Sequence, residues 1–108
     1  MNELIEKVKQ WSIEKGLDHA EPSKQFLKVT EEVGEVAAAL ARDDMEELQD
    51  AIGDTIVTLI ILAQQHEMEV EECLEQAYNA ICGRTGRMIN GVFVKEEDLK
   101  NATIMYNE

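Results

Sequence analysis

The residues best suited to chemistry in this chain are two pairs of acidic side chains. Glu32 and Glu35 lie three residues apart within the run EEVGE, and Asp50 and Asp54 lie four residues apart. On a helix, both spacings place the two carboxylates on the same face. Such like charges repel each other and weaken a helix by about 0.2–0.5 kcal/mol per pair. Because a cation normally offsets this repulsion, the four acids are candidate metal ligands.

Among the four acids, Asp54 gives the strongest indication of a binding site, because the apolar run TIVTLIILA follows it directly. A carboxylate at the edge of a buried run is unfavourable unless it is paired or binds a cation. Two antiparallel helices that each offer two carboxylates would form an oxygen-rich cage for Mg²⁺, with Mn²⁺ as a substitute. The alternative is a solvated acidic face, which is our interpretation of Glu46-Glu47 and Glu71-Glu72.

Glycine, proline and capping residues divide the chain into elements that would position these acids. Gly16 ends the first predicted helix, Ser23 is the predicted N-cap of the second, and Asp43 or Asp44 caps the third. Short connections predict antiparallel neighbours, so we expect an all-α antiparallel bundle of four to five helices. The predicted helices cover about residues 3–15, 24–41, 45–66 and 70–82.

The C-terminal part of the chain has a different character. Asn90-Gly91 lies between apolar residues in RMINGVFV, which is a typical β-hairpin signal. We therefore expect a short C-terminal β-hairpin, followed from about residue 95 by a polar tail that is partly disordered. At 108 residues, the chain is long enough for one core, which predicts a single domain over residues 1–108.

The composition limits the classes of partner. Ten Lys and Arg residues against 23 Asp and Glu residues give a net charge of −13, which argues against nucleic-acid polymers and anionic membranes as partners. A divalent cation can still bridge such a chain to a phosphorylated ligand. The apolar run Thr55–Ala63 is too short to span a bilayer. The N-terminus lacks a signal-peptide core, so we expect a soluble cytoplasmic protein.

The two cysteines agree with a reducing compartment. Cys73 and Cys82 are nine residues apart in one predicted helix, which separates them by about 13.5 Å along its axis. A disulfide requires Cα atoms within about 7 Å. We therefore predict two free thiols.

In order and spacing, these motifs resemble the MazG family of all-α nucleoside triphosphate pyrophosphohydrolases, whose pattern is EExxE followed by ExxD. The chain has EEVGE at Glu31–Glu35 and a GD-containing apolar helix after it, and the resemblance covers roughly residues 3–94. The likeness is to short members from Gram-positive bacteria and their phages. One position departs from the pattern: Ala51 stands where ExxD has its glutamate, and Asp50 is the available substitute. Further matching positions are Trp11, Lys15-Gly16-Leu17, Gln25, Lys28, Tyr78-Asn79 and the segment from Arg84 to Arg87.

The resemblance implies hydrolysis of a nucleoside triphosphate to the monophosphate and pyrophosphate. Mg²⁺ ions would polarise the α-phosphate and lower the pKa of a bound water. A carboxylate, either Glu35 or the outlying Glu31, would accept the proton of that water. The implied metal ligands are Glu32, Glu35, Asp50 and Asp54.

Basic and amide side chains are candidates for contacting the triphosphate. Lys28 would contact a phosphate oxygen, or would form an i, i+4 salt bridge with Glu32. Asn79 would bind metal water, sugar or phosphate, or would simply lie on a helix surface. Arg84 and Arg87 flank Gly86 and would clamp phosphates, with ordinary surface charge as the alternative.

Two residues are candidates for contacting the base. Trp11, the single tryptophan, would stack on the base, or would anchor a core or an interface. Gln25 would read the edge of the base, or would cap the pocket.

The third predicted helix is apolar on more sides than one small bundle can cover, which usually marks an interface. We expect a homo-oligomer, either a symmetric dimer or a dimer of dimers. Trp11, Arg84 or Arg87 could then act at a neighbouring subunit's metal site.

Two classes of function remain at this point. The first is a Mg²⁺-dependent pyrophosphohydrolase that removes unwanted nucleotides, with NTP, dNTP or an alarmone as substrate. The second is a non-catalytic acidic helical module that binds a protein partner. A cation buffer is disfavoured, because the chain has no EF-hand loop.

Overall fold

The computed structural model describes residues 2–99. It has four α-helices, a short 3-10 helix and one two-stranded hairpin within this range, which confirms the predicted all-α class with a small C-terminal hairpin. Residues 96–99 are also helical, and the rest of the predicted polar tail lies outside the described residues. The elements are α1 (Asn2–Glu14), the 3-10 helix (Leu17–His19), α2 (Pro22–Ala41), α3 (Met45–Gln65), α4 (Val70–Ile81), β1 (Gly86–Ile89) and β2 (Val92–Lys95).

The chain folds into two compact units, Met1–Cys73 and Leu74–Glu108. The prediction of a single domain over residues 1–108 stays a prediction. None of the described helices is both long enough and apolar enough to cross a membrane. Cys73 and Cys82 are exposed and unpaired, which confirms the prediction of free thiols.

The start of α2 corrects one prediction. Pro22 occupies the first turn and Glu21 is the N-cap residue, without a side-chain capping bond. The predicted cap, Ser23, lies inside the helix. Proline is well suited to a first helical position, because the N–H group that it lacks would have no intrahelical partner there.

The connection between α2 and α3 is tight. Arg42, Asp43 and Asp44 form it, with Asp43 in the left-handed region at φ +54°. The Asp44 carboxylate accepts a hydrogen bond of 3.1 Å from the backbone N–H of Glu47. Asp44 is therefore the cap of α3, which settles the choice between the two aspartates.

Helix α3 is the centre of the first unit. Within that unit, α2 packs against α3, while α1 and the 3-10 helix pack against α3 and against each other. Small side chains allow α2 and α3 to approach closely, since Ala39 and Ala51 are almost fully buried. The core also contains Ile5, Ile60 and Ile61.

Polar contacts attach α1 to the end of α3. The Gln64 side chain donates a hydrogen bond of 3.2 Å to the Lys9 carbonyl. The Lys9 ammonium contacts the Glu69 carboxylate and lies 3.3 Å from the Glu6 carboxylate. The hydrogen bond from Lys9 to Glu69 raises the pKa of Lys9 above its usual value, with Glu6 adding to the effect.

The hairpin in the second unit follows from its turn residues. Asn90 and Gly91 both have positive φ, at +52° and +80°, as a type I′ turn requires. The register pairs Gly86 with Lys95 and Ile89 with Val92.

Gly86 is needed for that strand pairing. A Cβ atom at this position would lie 2.1 Å from the Val94 carbonyl oxygen and 2.9 Å from the Phe93 ring. A side chain of any size would therefore push the two strands apart.

Candidate functional site

Both predicted acidic pairs lie on the α2–α3 helical hairpin. The Gln25 side chain reaches the backbone of Thr58, and the Asp44 N–H donates to the Ala39 carbonyl at the turn, so the two helices run antiparallel. Glu32 follows Gln25 by seven residues on α2, and Ala51 precedes Thr58 by seven residues on α3. Because helices rise by the same amount per residue, Glu32 lies level with Ala51, the residue next to Asp50.

The same register places the remaining acids in the same stretch of the hairpin. Glu35 lies about one turn nearer the connection, and Asp54 lies about one turn farther from it. Glu32 is half-buried, whereas Glu35, Asp50 and Asp54 are exposed. The exposure of Asp54 differs from the sequence argument, which placed it at the edge of a buried run.

Three of the four acids are exposed and the fourth is half-buried, so the predicted oxygen-rich cage would be open to solvent and stays a prediction. Among residues 2–99, the group of three acids whose oxygens all lie within 4.8 Å of one another is Glu6, Glu69 and Glu71. That group contains Lys9 as its own cation. We therefore interpret it as the attachment of α1 to the chain that follows α3.

The donor set on the hairpin nevertheless fits Mg²⁺. All four side chains offer carboxylate oxygens, and none of them has an ion-pair partner among the described residues. Mg²⁺ keeps several waters and takes one or two carboxylates together with substrate phosphates. An open, unneutralised acidic surface suits this mode of binding better than it suits an ion held only by protein.

Lys28 has a different partner from the one considered in the sequence analysis. Its ammonium lies 3.5 Å from the Glu31 carboxylate, three residues along α2. The suggested salt bridge with Glu32 is therefore replaced by one with Glu31, because i, i+3 neighbours also meet on a helix. Glu32 keeps its charge available for a cation.

Sequence reasoning missed one acid on α3. Glu47 lies three residues before Asp50 and seven before Asp54, so all three share one face of the helix. All three border a solvent-open concavity at the start of α3, together with Asp44, Glu46, Gln49 and Gly53. The sequence feature that could have identified Glu47 is its spacing from Asp50, which matches ExxD literally.

Ala51 explains the departure from the ExxD pattern in physical terms. Its side chain is 1% exposed in the part of α3 that faces α2. A glutamate at this position would place a charge between two closely packed helices. The acidic face of α3 is carried instead by Asp50, which is exposed one residue earlier.

The two candidate base-contacting residues have different surroundings. Gln25 is 9% exposed, and its Nε2 donates a hydrogen bond of 3.0 Å to the Thr58 carbonyl. Trp11 is 47% exposed, so within residues 2–99 it is not a core anchor. Its ring remains accessible to a base or to another protein surface.

The remaining candidates belong to the second unit. Asn79, Arg84 and Arg87 are all exposed. Arg84 borders a concavity that also includes Thr85 and Lys95. Arg87 lies on β1 opposite Val94.

Comparison with known sequences adds an independent observation. The profile of the MazG nucleotide pyrophosphohydrolase domain matches residues 21–91. This span contains every predicted site residue except Trp11. No solved structure matches the chain significantly.

One curated relative is an uncharacterized 18.2 kDa protein from the rep-hol intergenic region of Haemophilus phage HP1. It is 34% identical over 70 residues, which is 64% of this chain and 43% of the phage protein. The chain therefore spans less than half of the length of this relative.

Proposed function

Because the chain belongs to the MazG nucleotide pyrophosphohydrolase domain family, we propose that it hydrolyses a nucleoside triphosphate to the monophosphate and pyrophosphate. The observation that carries this proposal is the acidic α2–α3 hairpin, which lies wholly within the matched span of residues 21–91. Such an activity would remove unwanted NTP or dNTP from the nucleotide pool.

In this proposal, Glu32, Glu35, Asp50 and Asp54 hold Mg²⁺, with Mn²⁺ as a substitute. Bound Mg²⁺ would neutralise the triphosphate and lower the pKa of a coordinated water. Family membership supports a divalent metal, and the all-oxygen donor set favours Mg²⁺.

Glu35 is the carboxylate that we propose as proton acceptor. The other candidate, Glu31, already faces the Lys28 ammonium at 3.5 Å. Glu35 has no cation partner among the described residues, and it is exposed, so an attacking water can reach it. Lys28 would exchange its contact with Glu31 for a phosphate oxygen when substrate binds.

The other substrate contacts are proposed on side-chain chemistry. Arg84 and Arg87 supply planar donors that suit phosphate oxygens, and Asn79 supplies an amide for metal water or sugar. Trp11 offers an exposed aromatic face for stacking on the base. Gln25 would offer its side-chain oxygen to a base edge, because its bond to Thr58 uses the amide nitrogen.

We test the function by pyrophosphate release from a panel of NTPs and dNTPs, with Mg²⁺ and with EDTA. Asp54→Asn and Glu35→Gln each remove one charge at nearly constant shape. We expect release that requires Mg²⁺ and that falls in both variants, by roughly 10²- to 10⁴-fold if Glu35 is the base. The matched control is Glu72→Gln, which removes an exposed acid on α4, outside the hairpin.

Equal activity in the control and the two hairpin variants would contradict the assignment of the site. Absence of release from every nucleotide, with either Mg²⁺ or Mn²⁺, would contradict the enzymatic proposal. The second candidate function, a protein-binding helical module, would then be favoured by the exposed apolar side chains of α2, among them Phe26 and Leu27.

A further inference from the structure

Gln25 makes a contact that neither base recognition nor pocket capping requires. Its side-chain amide is buried and donates to the Thr58 carbonyl at 3.0 Å, across 33 residues of sequence. Within residues 2–99, no other side-chain hydrogen bond or ion pair joins α2 to α3. The contact is therefore the directional link between the two helices that carry the acids.

Away from the turn, the packing between α2 and α3 is extensive, but among the described residues it includes no directional side-chain contact other than that of Gln25. In the first unit, α2 packs against α3 alone. The most deeply buried side chains of the two helices, Ala39 and Ala51, carry no polar atom that could fix the distance between them. Phe26 and Leu27, next to Gln25, are 61% and 66% exposed, so they do not anchor this end.

The acids lie between the two points where the hairpin is fixed. The turn holds one end through the bond from the Asp44 N–H to the Ala39 carbonyl, at 3.0 Å. The bond from Gln25 to Thr58 holds the other end. Without that bond, non-directional packing alone would hold the first half of α2 in place against the repulsion between carboxylates on the two helices.

We propose that Gln25 is a positioning residue, whose bond to the Thr58 carbonyl sets the separation between Glu32 and Glu35 on α2 and Asp50 and Asp54 on α3. This inference rests on the proposed metal-binding role of the four acids. Gln25 acts through the hairpin and does not need to touch the metal or the nucleotide.

The chain provides a matched control for this residue. Gln64 is also a glutamine on a helix, and its Nε2 also donates to a backbone carbonyl of another helix, that of Lys9 at 3.2 Å. Its bond joins α3 to α1 and leaves α2 untouched. Gln25→Met and Gln64→Met both remove the donor and keep a long side chain.

The first measurement is Mn²⁺ binding in the absence of nucleotide. The electron paramagnetic resonance signal of free Mn²⁺ reports how much of the ion remains unbound. Omitting nucleotide removes any contribution from base recognition. We expect Gln25→Met to weaken Mn²⁺ binding by about 10- to 100-fold and Gln64→Met to leave it unchanged. Equal weakening in both variants, or unchanged binding in Gln25→Met, would overturn the proposal.

The second measurement reports the hairpin directly and needs no metal. Spin labels at Thr30 and Gln49, both exposed, are introduced after Cys73 and Cys82 are replaced by serine. We expect the distance distribution between the labels to broaden and lengthen in Gln25→Met and to stay narrow in Gln64→Met. Circular dichroism establishes whether each variant is folded. If Gln25→Met does not fold, Gln25→Leu is used in its place.

The two measurements separate this inference from the proposed function. Wild-type protein that binds no Mn²⁺ would contradict the metal site, while a broadened distribution in Gln25→Met would still support the positioning role. Identical distributions in wild type and Gln25→Met would overturn the positioning role, whatever the result for Mn²⁺.

Discussion

At the scale of single residues, the acids and the residues between them have different tasks. Glu35, Asp50 and Asp54 are exposed and available to a cation. Ala51 is buried at 1% exposure and has a packing task. A one-residue shift along α3 thus separates a position that tolerates charge from one that excludes it.

We expect Ala51→Glu to lower the free energy of unfolding by about 2–4 kcal/mol, because it places a carboxylate between α2 and α3. Urea denaturation measures the change. The control is Gln49→Glu, which adds the same charge at an exposed position of the same helix and should change stability by no more than about 0.5 kcal/mol. Equal stability of the two variants would show that the interface between α2 and α3 accommodates an acid.

We expect Gly86→Ala to disrupt the pairing of β1 with β2, because its Cβ would lie 2.1 Å from the Val94 carbonyl oxygen. Cross-strand nuclear Overhauser effects between Met88 and Phe93 report the pairing and should disappear. Gly83→Ala is the control, since a Cβ there has no atom within 4 Å. Retention of the cross-strand signals in Gly86→Ala would contradict the strand register.

At this scale, predictions from the sequence succeeded where a feature depends only on residues that are close along the chain. The Asn90-Gly91 turn depends on neighbouring residues and was predicted from the sequence. A cap at Asp43 or Asp44 was predicted in the same way, and the structure identifies Asp44. The bond from Gln25 to Thr58 joins residues 33 apart, and no periodicity indicates it. The burial of Ala51 likewise depends on how α2 lies against α3, so the reason for the altered ExxD motif emerged only from the fold.

At the scale of elements, α1 is held to the chain after α3 by charge as well as by apolar packing. Lys9 contacts Glu69 and Glu6, and these contacts raise the pKa of Lys9. A raised lysine pKa means that the protonated form is favoured in the folded state. Its contribution to stability is complete below the unfolded value of about 10.4 and is lost as pH rises through the raised value.

We therefore expect the stability difference between wild type and Lys9→Met to shrink as pH rises beyond about 10.4. At neutral pH the difference should be at most about 1 kcal/mol, because the contact is near the surface. Thermal denaturation between neutral pH and the alkaline range measures it. Lys7→Met, an exposed lysine on the same helix, should show no such trend, and a parallel trend would contradict the role of the Lys9 contacts.

Helix boundaries were predictable to within about two residues, because periodicity and caps are properties of each segment. The side of each helix that packs inward was less predictable. Leu4 and Trp11 are large apolar residues of α1, yet they are 60% and 47% exposed. Ile5 and Ser12 are the buried residues of that helix.

At the scale of the whole molecule, apolar surface on α3 supports the expectation of a homo-oligomer, which stays a proposal. Thr58, Ile60 and Ile61 are buried, whereas Ile52, Ile56 and Leu59 are 41–47% exposed. These three exposed residues are spaced i, i+4 and i+7, which aligns them along one face. Such a stripe usually marks a contact with another protein surface.

We expect sedimentation equilibrium to give a mass that is a multiple of 12.2 kDa, and we expect Ile56→Lys to shift it towards the single chain. A lysine in that stripe would have to lose its hydration within an apolar interface. Met68→Lys is the control, because Met68 is exposed but lies outside α3. A wild-type protein that sediments as one chain at high concentration would contradict the proposal.

The three-residue connection between α2 and α3 also bears on folding kinetics. Helices so close in sequence pack together early in folding, since they need little loop closure. The proposed metal ligands would then be assembled in the transition state for folding. A divalent cation that binds them should accelerate refolding, in addition to slowing unfolding, and the folding arm of a chevron plot recorded with and without Mg²⁺ would report that acceleration.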